Sequence, residues 1–328
     1  MMEIGSFIEL QFPKGLEYYK GDKDIARLNT GRAGIWHGLT VLGCDTVWIP
    51  HYQCDSVRDF LNKKGVKIKY YSIDREFNPI DLTPQKNEAV LFVNYFGIMS
   101  KSRMESLAKS YKNAIIDNSQ AFFAPPLDTC MNVYSCRKFV GVPDGAYVLG
   151  KNADKKAEEY DECHSSDTSL FMLQRIEYGC EGKAYETRQK NENRIENEDC
   201  LKMSKLTRTI LDGTDYEVIK KKRVQNFAYA KKLFDKLNRL DVSKYYDDTV
   251  VPMVYPLLIE DTSLLYKLLD AKHFQGHWWN YLLKETDADS FEHYLSEYMI
   301  PITIDQRYGK EELDYLYGII AESEDNKV

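Results

Sequence analysis

The sequence lacks the features that would assign it to a membrane, secreted or nucleic-acid-binding class. It has no apolar run approaching the roughly 20 residues that a membrane helix needs. Its N-terminus has no basic stretch followed by a long apolar one, so we expect no signal peptide. Its net charge of −7 argues against a nucleic-acid-binding protein, which usually carries a basic face. These absences predict a cytoplasmic protein with no membrane and no nucleic-acid partner.

Metal and redox motifs are also absent. The seven cysteines are an odd number and no pair has the close spacing of a zinc or redox motif, so we expect reduced thiols. His273 and His277 are four residues apart, but Gly276 breaks any helix between them, and we predict no metal site. No Gly-x-Gly-x-x-Gly follows a predicted strand, which disfavours a nucleotide-binding α/β oxidoreductase.

Residues 29–150 contain short apolar segments that alternate with amphipathic ones. The β-branched and apolar runs predict strands at Thr46–Ile49, Lys67–Ser72, Glu88–Tyr95 and Asn113–Asp117. Apolar residues at helical spacing predict helices at Ala33–Leu42, Cys54–Lys64 and Met104–Tyr111. Strand–helix alternation of this kind predicts an α/β fold with a mostly parallel sheet, covered by helices on both faces.

The sequence changes character after Gly150, where it becomes strongly charged and mostly helical in pattern. A long helix is predicted at Glu217–Leu240, an edge strand with two prolines at residues 250–259, and a last helix near Glu311–Ala321. We therefore predict a large domain at residues 1–213 and a smaller C-terminal α+β domain at residues 214–328.

Three segments carry residues suited to pyridoxal 5'-phosphate (PLP). Lys138 follows a short apolar-and-small run and precedes a Pro-Asp-Gly turn; a lysine can carry an aldehyde as a Schiff base. Asp117 follows the apolar NAII and is expected at a strand's carboxyl end, where open α/β sheets bind their ligands. Gly31 precedes a helix whose first N–H groups and partial positive charge suit a dianion. Together the segments point to a PLP enzyme.

Each of these residues also has a simpler interpretation. An aspartate after a strand is often a turn or cap residue, and Thr-Gly-Arg is often only a helix start. Most lysines are solvated surface charges. The order and spacing of the three segments favour the PLP interpretation without excluding these alternatives.

The same segments resemble the DegT-type sugar aminotransferases, a family of fold-type-I PLP enzymes. LNTGRAGI, from Leu28, is similar to that family's phosphate loop, and VWIPHYQCDSV to its Val-x-x-Pro strand and following helix. IIDNSQAFFA resembles Glu-Asp-Ala-Ala-Gln-Ala, and YSCRKFVGVPDGAYV resembles the lysine loop. Further segments, including MSKLTRTIL and IPITIDQRYGKEEL, fit in order, so the resemblance extends over nearly the whole chain.

The resemblance implies a role for each matching residue. Lys138 would form the Schiff base and then move the proton, Asp117 would pair with the ring nitrogen, and Gln120 would contact the ring hydroxyl. The phosphate would be held by Gly31, Arg32 and Ser135.

The sequence departs from the family pattern at the residue that stacks on the cofactor. The family's aromatic residue, four positions after the proline, corresponds here to Cys54, and we expect Tyr52 or His51 to replace it. Ser135 lies three residues before Lys138, whereas the family serine lies five before. Arg307 follows a proline-bounded strand and is a candidate for bidentate binding of the donor's carboxylate; an ordinary surface arginine is the alternative interpretation.

The resemblance implies a homodimeric aminotransferase that loads its amine from glutamate and delivers it to a keto-sugar. Family members of this kind act on nucleotide-linked sugars, so the resemblance also implies a nucleotide-linked acceptor and a place in polysaccharide biosynthesis. A non-catalytic sensor of PLP or of an amino-sugar, with the same fold, is the alternative hypothesis. Turnover of glutamate distinguishes the two.

Overall fold

A computed structural model describes residues 4–247 and 249–325. Its central feature is a sheet of eight strands, and a second sheet has two. In chain order the strands of the described ranges are β1 (Ile25–Leu28), β2 (Thr46–Pro50), β3 (Lys67–Ile73), β4 (Pro79–Ile80), β5 (Ala89–Val93), β6 (Ala114–Asp117), β7 (Met131–Ser135), β8 (Ala146–Leu149), β9 (Val254–Leu258) and β10 (Met299–Thr303).

Helices cover the sheet and make up most of the C-terminal half of the chain. They are α1 (Gly31–Leu42), α2 (Asp55–Lys63), α3 (Lys101–Lys109), α4 (Leu170–Tyr178), α5 (Lys183–Asn197), α6 (Lys205–Asp212), α7 (Tyr216–Phe234), α8 (Leu264–Asp270), α9 (Leu282–Glu285), α10 (Phe291–Tyr298) and α11 (Lys310–Asp325). Within ranges 4–247 and 249–325, none of them combines the length and the apolar character needed to cross a membrane.

The large sheet is mixed but mostly parallel. Its strand order is β1-β8-β7-β6-β5-β2-β3-β4. Strands β3, β2, β5, β6 and β7 pair in parallel along the sheet. Strand β8 is antiparallel to both of its neighbours, and β4 is antiparallel to β3. The predicted α/β fold with a mostly parallel sheet is confirmed.

The central strands are buried on both faces, which explains their continuous apolar sequences. Every residue of β5 and β6 is buried. Because successive side chains of a strand point to opposite faces, Leu91 and Ile115 pack with α1 and α2. Phe92 and Ile116 pack in the core on the other face.

The C-terminal part shares its apolar core with the large sheet. Strands β9 and β10 form their own antiparallel pair. Phe227 of α7, Tyr255 of β9 and Ile302 of β10 belong to the same cluster of buried residues as Phe92 of the large sheet. Residues 213–215 connect α6 to α7. The domain boundary at residue 213 stays a prediction.

The long helix predicted at Glu217–Leu240 ends earlier, at Phe234. The reason is a side-chain contact with the following strand. Asn238 accepts hydrogen bonds through Oδ1 from the backbone N–H groups of Leu240 and Leu258, both at 2.9 Å. An asparagine that bonds local backbone competes with helix continuation. The chain therefore turns towards β9 at this point.

His273, after α8, gives the fold a pH dependence. Its side chain is buried, and among the residues that the structure describes neither ring nitrogen has a hydrogen-bond partner. Burial lowers the pKa of His273 to about 4. An unfolded histidine titrates near 6.5, so the unfolded state binds more protons between pH 6.5 and 4. The free energy of unfolding therefore falls as the pH falls through this window.

We predict that His273→Leu removes this contribution, which amounts to about 2 kcal/mol between pH 7 and pH 5. Urea unfolding at pH 7, 6 and 5 measures the difference between the variant and the parent. His164 is exposed, so His164→Leu is the control and should keep the parent's pH dependence. The same pH dependence in all three proteins would contradict the prediction.

Candidate active site

The candidate site lies at the carboxyl edge of the large sheet. Several loops leave the sheet there, and ligands of open α/β sheets bind at this edge. The loops follow β1, β2, β5, β6 and β7, and they contain residues 29–30, 51–54, 94–97, 118–120 and 136–138.

The structure brings the three segments predicted from the sequence together. A Cβ on Gly31 would lie 2.9 Å from Ser119 Oγ and 3.8 Å from Ser135 Cβ, so the helix start lies close to both of these loops. The N–H of Gly145, beyond the lysine loop, donates to the carbonyl of Asn29 at 2.6 Å. The loops after β1, β6 and β7 therefore form one contiguous surface.

The start of α1 is open towards this surface. Thr30 caps the helix, with Oγ1 accepting from the N–H of Ala33 at 3.2 Å. The N–H groups of Gly31 and Arg32 precede the first intrahelical bond, so no carbonyl of α1 satisfies them. No acidic residue lies in the first turn. This helix start has the geometry of an anion-binding site.

Two half-buried arginines flank the helix start. The Arg32 guanidinium donates to the carbonyl of Ile195 in α5 at 2.5 Å, and burial lowers its pKa. Arg137, next to Lys138, pairs with Glu192, while its buried Nε has no hydrogen-bond partner in the described structure. Arg32 thus turns its side chain towards α5, and Arg137 retains a free donor.

Asp117 ends β6 and is buried, with 5% of its surface exposed. Its Oδ2 accepts from Gln53 Nε2 at 3.1 Å and its Oδ1 from the N–H of Ser119 at 2.8 Å. Both donors are uncharged, although a buried carboxyl group is normally paired with a cation. The site therefore has a carboxyl group that suits a positively charged partner.

Gln120 is also buried, with its Oε1 accepting from the N–H of Phe96 at 2.6 Å. This bond joins the loop after β6 to the loop after β5. It fixes the orientation of the side-chain amide, which leaves the amide nitrogen as the donor.

Lys138 lies at the end of a short 3-10 turn, and its side chain is exposed. The loop around it is anchored at both ends. The N–H of Cys136 donates to the carbonyl of Gly145 at 3.0 Å. The fully buried Asp144 accepts from the backbone N–H and the hydroxyl of Ser204, at 3.0 and 2.6 Å. The lysine is thus an exposed amine on a fixed loop.

Two other predicted residues lie in less open positions. Tyr52 is completely buried, and its ring contacts Trp279 with the two centroids 4.4 Å apart. Arg307 is half-exposed, and its Nε and Nη2 donate to the two carboxylate oxygens of Asp305 at 2.9 and 2.7 Å. Arg307 therefore already holds a carboxylate of its own chain. The roles of Tyr52 in stacking and of Arg307 in substrate binding stay predictions.

Sequence reasoning missed Gln53, Ser119 and Arg137. Gln53 and Ser119 follow strand ends, so the rule that pointed to Asp117 could have found both. Arg137 has no comparable signal, because its free donor depends on how Glu192 of α5 packs against the lysine loop. Together the residues offer an anion-binding helix start, a carboxyl group without a cation and a primary amine.

We predict that Gln53→Glu destabilises the protein by about 2 kcal/mol, because it places a second carboxyl group against the buried Asp117. In the double variant Gln53→Glu/Asp117→Asn an amide again faces a carboxyl group, and most of the loss should be recovered. Urea unfolding at pH 8 measures all four free energies of the cycle. Simple additivity of the two single losses would show that the side chains do not interact.

Comparison with known proteins finds similarity in structure but not in sequence. No protein-family model matches the chain, and no curated protein matches it by sequence. A DegT DnrJ EryC1 StrS aminotransferase from Brucella abortus matches with 11% identity and a TM-score of 0.59, covering 93% of this chain and 87% of that chain.

Two further structures match comparably. Bacillus subtilis NtdA, solved with bound cofactor PMP, has 14% identity and a TM-score of 0.62, covering 90% of this chain and 73% of its own. Helicobacter pylori PseC, an aminotransferase involved in pseudoaminic acid biosynthesis, has 13% identity and a TM-score of 0.61, covering 92% and 87%. At such identities the similarity is one of fold. This chain has the α/β fold of these aminotransferases.

Proposed function

We propose that this protein is a PLP-dependent aminotransferase that transfers an amino group from glutamate to a keto-sugar, in particular a nucleotide-linked one. The observation that carries the proposal is Asp117, a buried carboxyl group whose donors are both uncharged. Burying such a group without a cation is unfavourable. A protonated ring nitrogen supplies the missing partner.

The start of α1 fits the phosphate of PLP. Its free N–H groups and partial positive charge suit a dianion. Gly31 lets the backbone approach Ser119 and Ser135, because a Cβ there would be 2.9 Å from Ser119 Oγ. The unpartnered Nε of Arg137 is a further donor beside Lys138. We assign the phosphate to Gly31, the backbone of Arg32, and Ser135, with Ser119 and Arg137 added.

Bound PLP would carry the amino group between the two substrates and accept electron density from the carbon that loses its proton. Lys138 would hold the cofactor through Nζ and, once displaced, move the proton as a general base and acid. Asp117 would keep the ring nitrogen protonated, and Gln53 and Ser119 would hold Asp117 in place. Gln120 would donate its amide N–H to the ring hydroxyl.

A second copy of the chain would complete the site. Lys138 is exposed in the single chain, whereas such chemistry proceeds with water excluded. Helix α4 has no buried residue and exposes apolar side chains, among them Leu170, Leu173 and Ile176. An apolar patch of this kind is typical of an interface. We therefore include a homodimer in the proposal.

We infer a keto-sugar as the amino acceptor from the similarity to the solved structures. One of them is PseC, an aminotransferase involved in the biosynthesis of pseudoaminic acid. The nucleotide linkage and a place in polysaccharide biosynthesis are inferred from the resemblance of the sequence motifs to the DegT-type family.

A non-catalytic sensor with the same fold is the alternative, and one observation favours it. Arg307, the residue proposed for the donor's carboxylate, already makes a bidentate pair with Asp305. A sensor would bind PLP without binding glutamate. The presence of Asp117 favours the enzyme, because a site that only binds PLP does not need an acid at the ring nitrogen.

We predict that the protein incubated with PLP turns yellow, and that borohydride fixes the cofactor onto a peptide containing Lys138. Lys138→Ala should lose both the colour and the fixed adduct, because it removes the amine that we assign to the Schiff base. Lys151→Ala is the control, since Lys151 is an exposed lysine just after β8. Mass spectrometry of the reduced protein is the measurement. Colour and adduct retained in Lys138→Ala would refute the assignment.

We also predict that glutamate shifts the absorbance band of the bound cofactor in a single half-reaction, which requires no sugar. Asp117→Asn should slow this shift by about 30- to 150-fold, equivalent to about 2–3 kcal/mol in the transition state, while PLP still binds. Stopped-flow absorbance is the measurement. A band that does not move with glutamate, glutamine or aspartate would favour the sensor.

A further inference from the structure

Arg223 of α7 is a buried arginine, and in the described part of the chain no carboxylate accepts a hydrogen bond from its guanidinium. It is 2% exposed, and burial lowers its pKa to about 10. Its hydrogen bonds go to uncharged oxygens of three separate segments. They are Gln306 Oε1 at 3.2 Å, the carbonyls of Pro252 at 3.3 Å and Met253 at 2.9 Å, and the carbonyl of Lys138 at 3.2 Å.

The last of these bonds is at the lysine itself. The guanidinium Nη2 donates to the carbonyl of Lys138, and the guanidinium carbon lies 4.4 Å from the centroid of the Phe139 ring. Gln306 makes a second hydrogen bond to the lysine loop, because its Nε2 donates to the carbonyl of Phe139 at 2.8 Å. Two side chains of the C-terminal part therefore hold consecutive carbonyls of the lysine loop.

Burying the charged guanidinium of Arg223 is unfavourable unless its N–H groups make hydrogen bonds. A buried guanidinium loses its hydration, and here it regains hydrogen bonds only if the loop, β9 and Gln306 are all in place. Its five donors lie in a fixed plane and point to acceptors on separate segments, a geometry that the compact ammonium of a lysine does not have. The bonds thus fix the backbone of Lys138 relative to the C-terminal part.

We propose that Arg223 is the positioning residue for Lys138: with Gln306 it holds the carbonyls of Lys138 and Phe139, and so sets the place from which the lysine reaches the cofactor. This inference rests on the proposed function. Arg223 does not touch the cofactor in this role; it acts through the main chain of the lysine loop.

The test compares two ligands in Arg223→Met, which keeps the side chain's length and loses its donors. PLP must bond to Lys138, whereas pyridoxamine phosphate occupies the same phosphate site without that bond. We expect the rate at which PLP becomes fixed to Lys138 to fall at least about tenfold. The Kd for pyridoxamine phosphate should stay within about threefold of the parent's value. Equal weakening of both ligands, or no change in either, would overturn the proposal.

A second measurement is independent of the cofactor. The N–H groups of Phe139 and Val140 donate to the carbonyl of Cys136 at 3.0 and 2.9 Å. In cofactor-free Arg223→Met these two amides should exchange with deuterium faster than in the parent, and the amides of β5 should not. If the amides of Phe139 and Val140 exchange at the parent's rate, the proposal for Arg223 is contradicted. This result does not depend on whether Lys138 binds PLP.

Two further variants complete the design. Gln306→Leu removes the hydrogen bond to Phe139 and one acceptor of Arg223, but it keeps the bond between Arg223 and the carbonyl of Lys138. It should therefore change fixation and exchange in the same direction but less, and it serves if Arg223→Met does not fold. Arg239 is 58% exposed and pairs with Glu260, so Arg239→Met is the matched control and should behave as the parent. A control as slow as Arg223→Met would refute the specific role. A parent that never fixes PLP on Lys138 would instead refute the proposed function.

Discussion

The close approach of α1 to the sheet is the constraint on which the site depends. A Cβ on Gly34 would lie 2.9 Å from Val133 Cγ1 and 3.0 Å from Val148 Cγ2, so the helix packs directly onto β7 and β8. One turn earlier, Gly31 consequently lies between the loops that follow β6 and β7. A larger residue at either position would move the helix start away from the carboxyl edge of the sheet.

The site combines groups that would be unfavourable if each stood alone. Asp117 is buried with two uncharged donors, the N–H groups of Gly31 and Arg32 have no acceptor within α1, and the buried Nε of Arg137 has no hydrogen-bond partner among the described residues. A ligand with a cationic nitrogen at one end and an anion at the other satisfies all of them together. PLP has this distribution of charge, which is why these unsatisfied groups support the proposed cofactor better than any single residue does.

The C-terminal part contacts the site at two separate points. Tyr281 donates to the carbonyl of Gln53 at 2.6 Å, and Gln53 in turn contacts Asp117. Arg223 contacts the carbonyl of Lys138. Because its apolar core is continuous with one face of the large sheet, the C-terminal part supports both ends of the site as one packed body.

The sequence by itself determined the α/β alternation and placed Asp117 at the end of its strand, because both follow from local periodicity and from strand length. It also indicated the lysine loop and the helix start, the two segments that the fold brings close to Asp117. The partners of individual side chains were decided only by tertiary structure. Arg137 pairs with Glu192, Tyr52 packs against Trp279, and Arg223 holds Lys138 across 85 residues. Such choices depend on which distant elements meet, and periodicity contains no information about them.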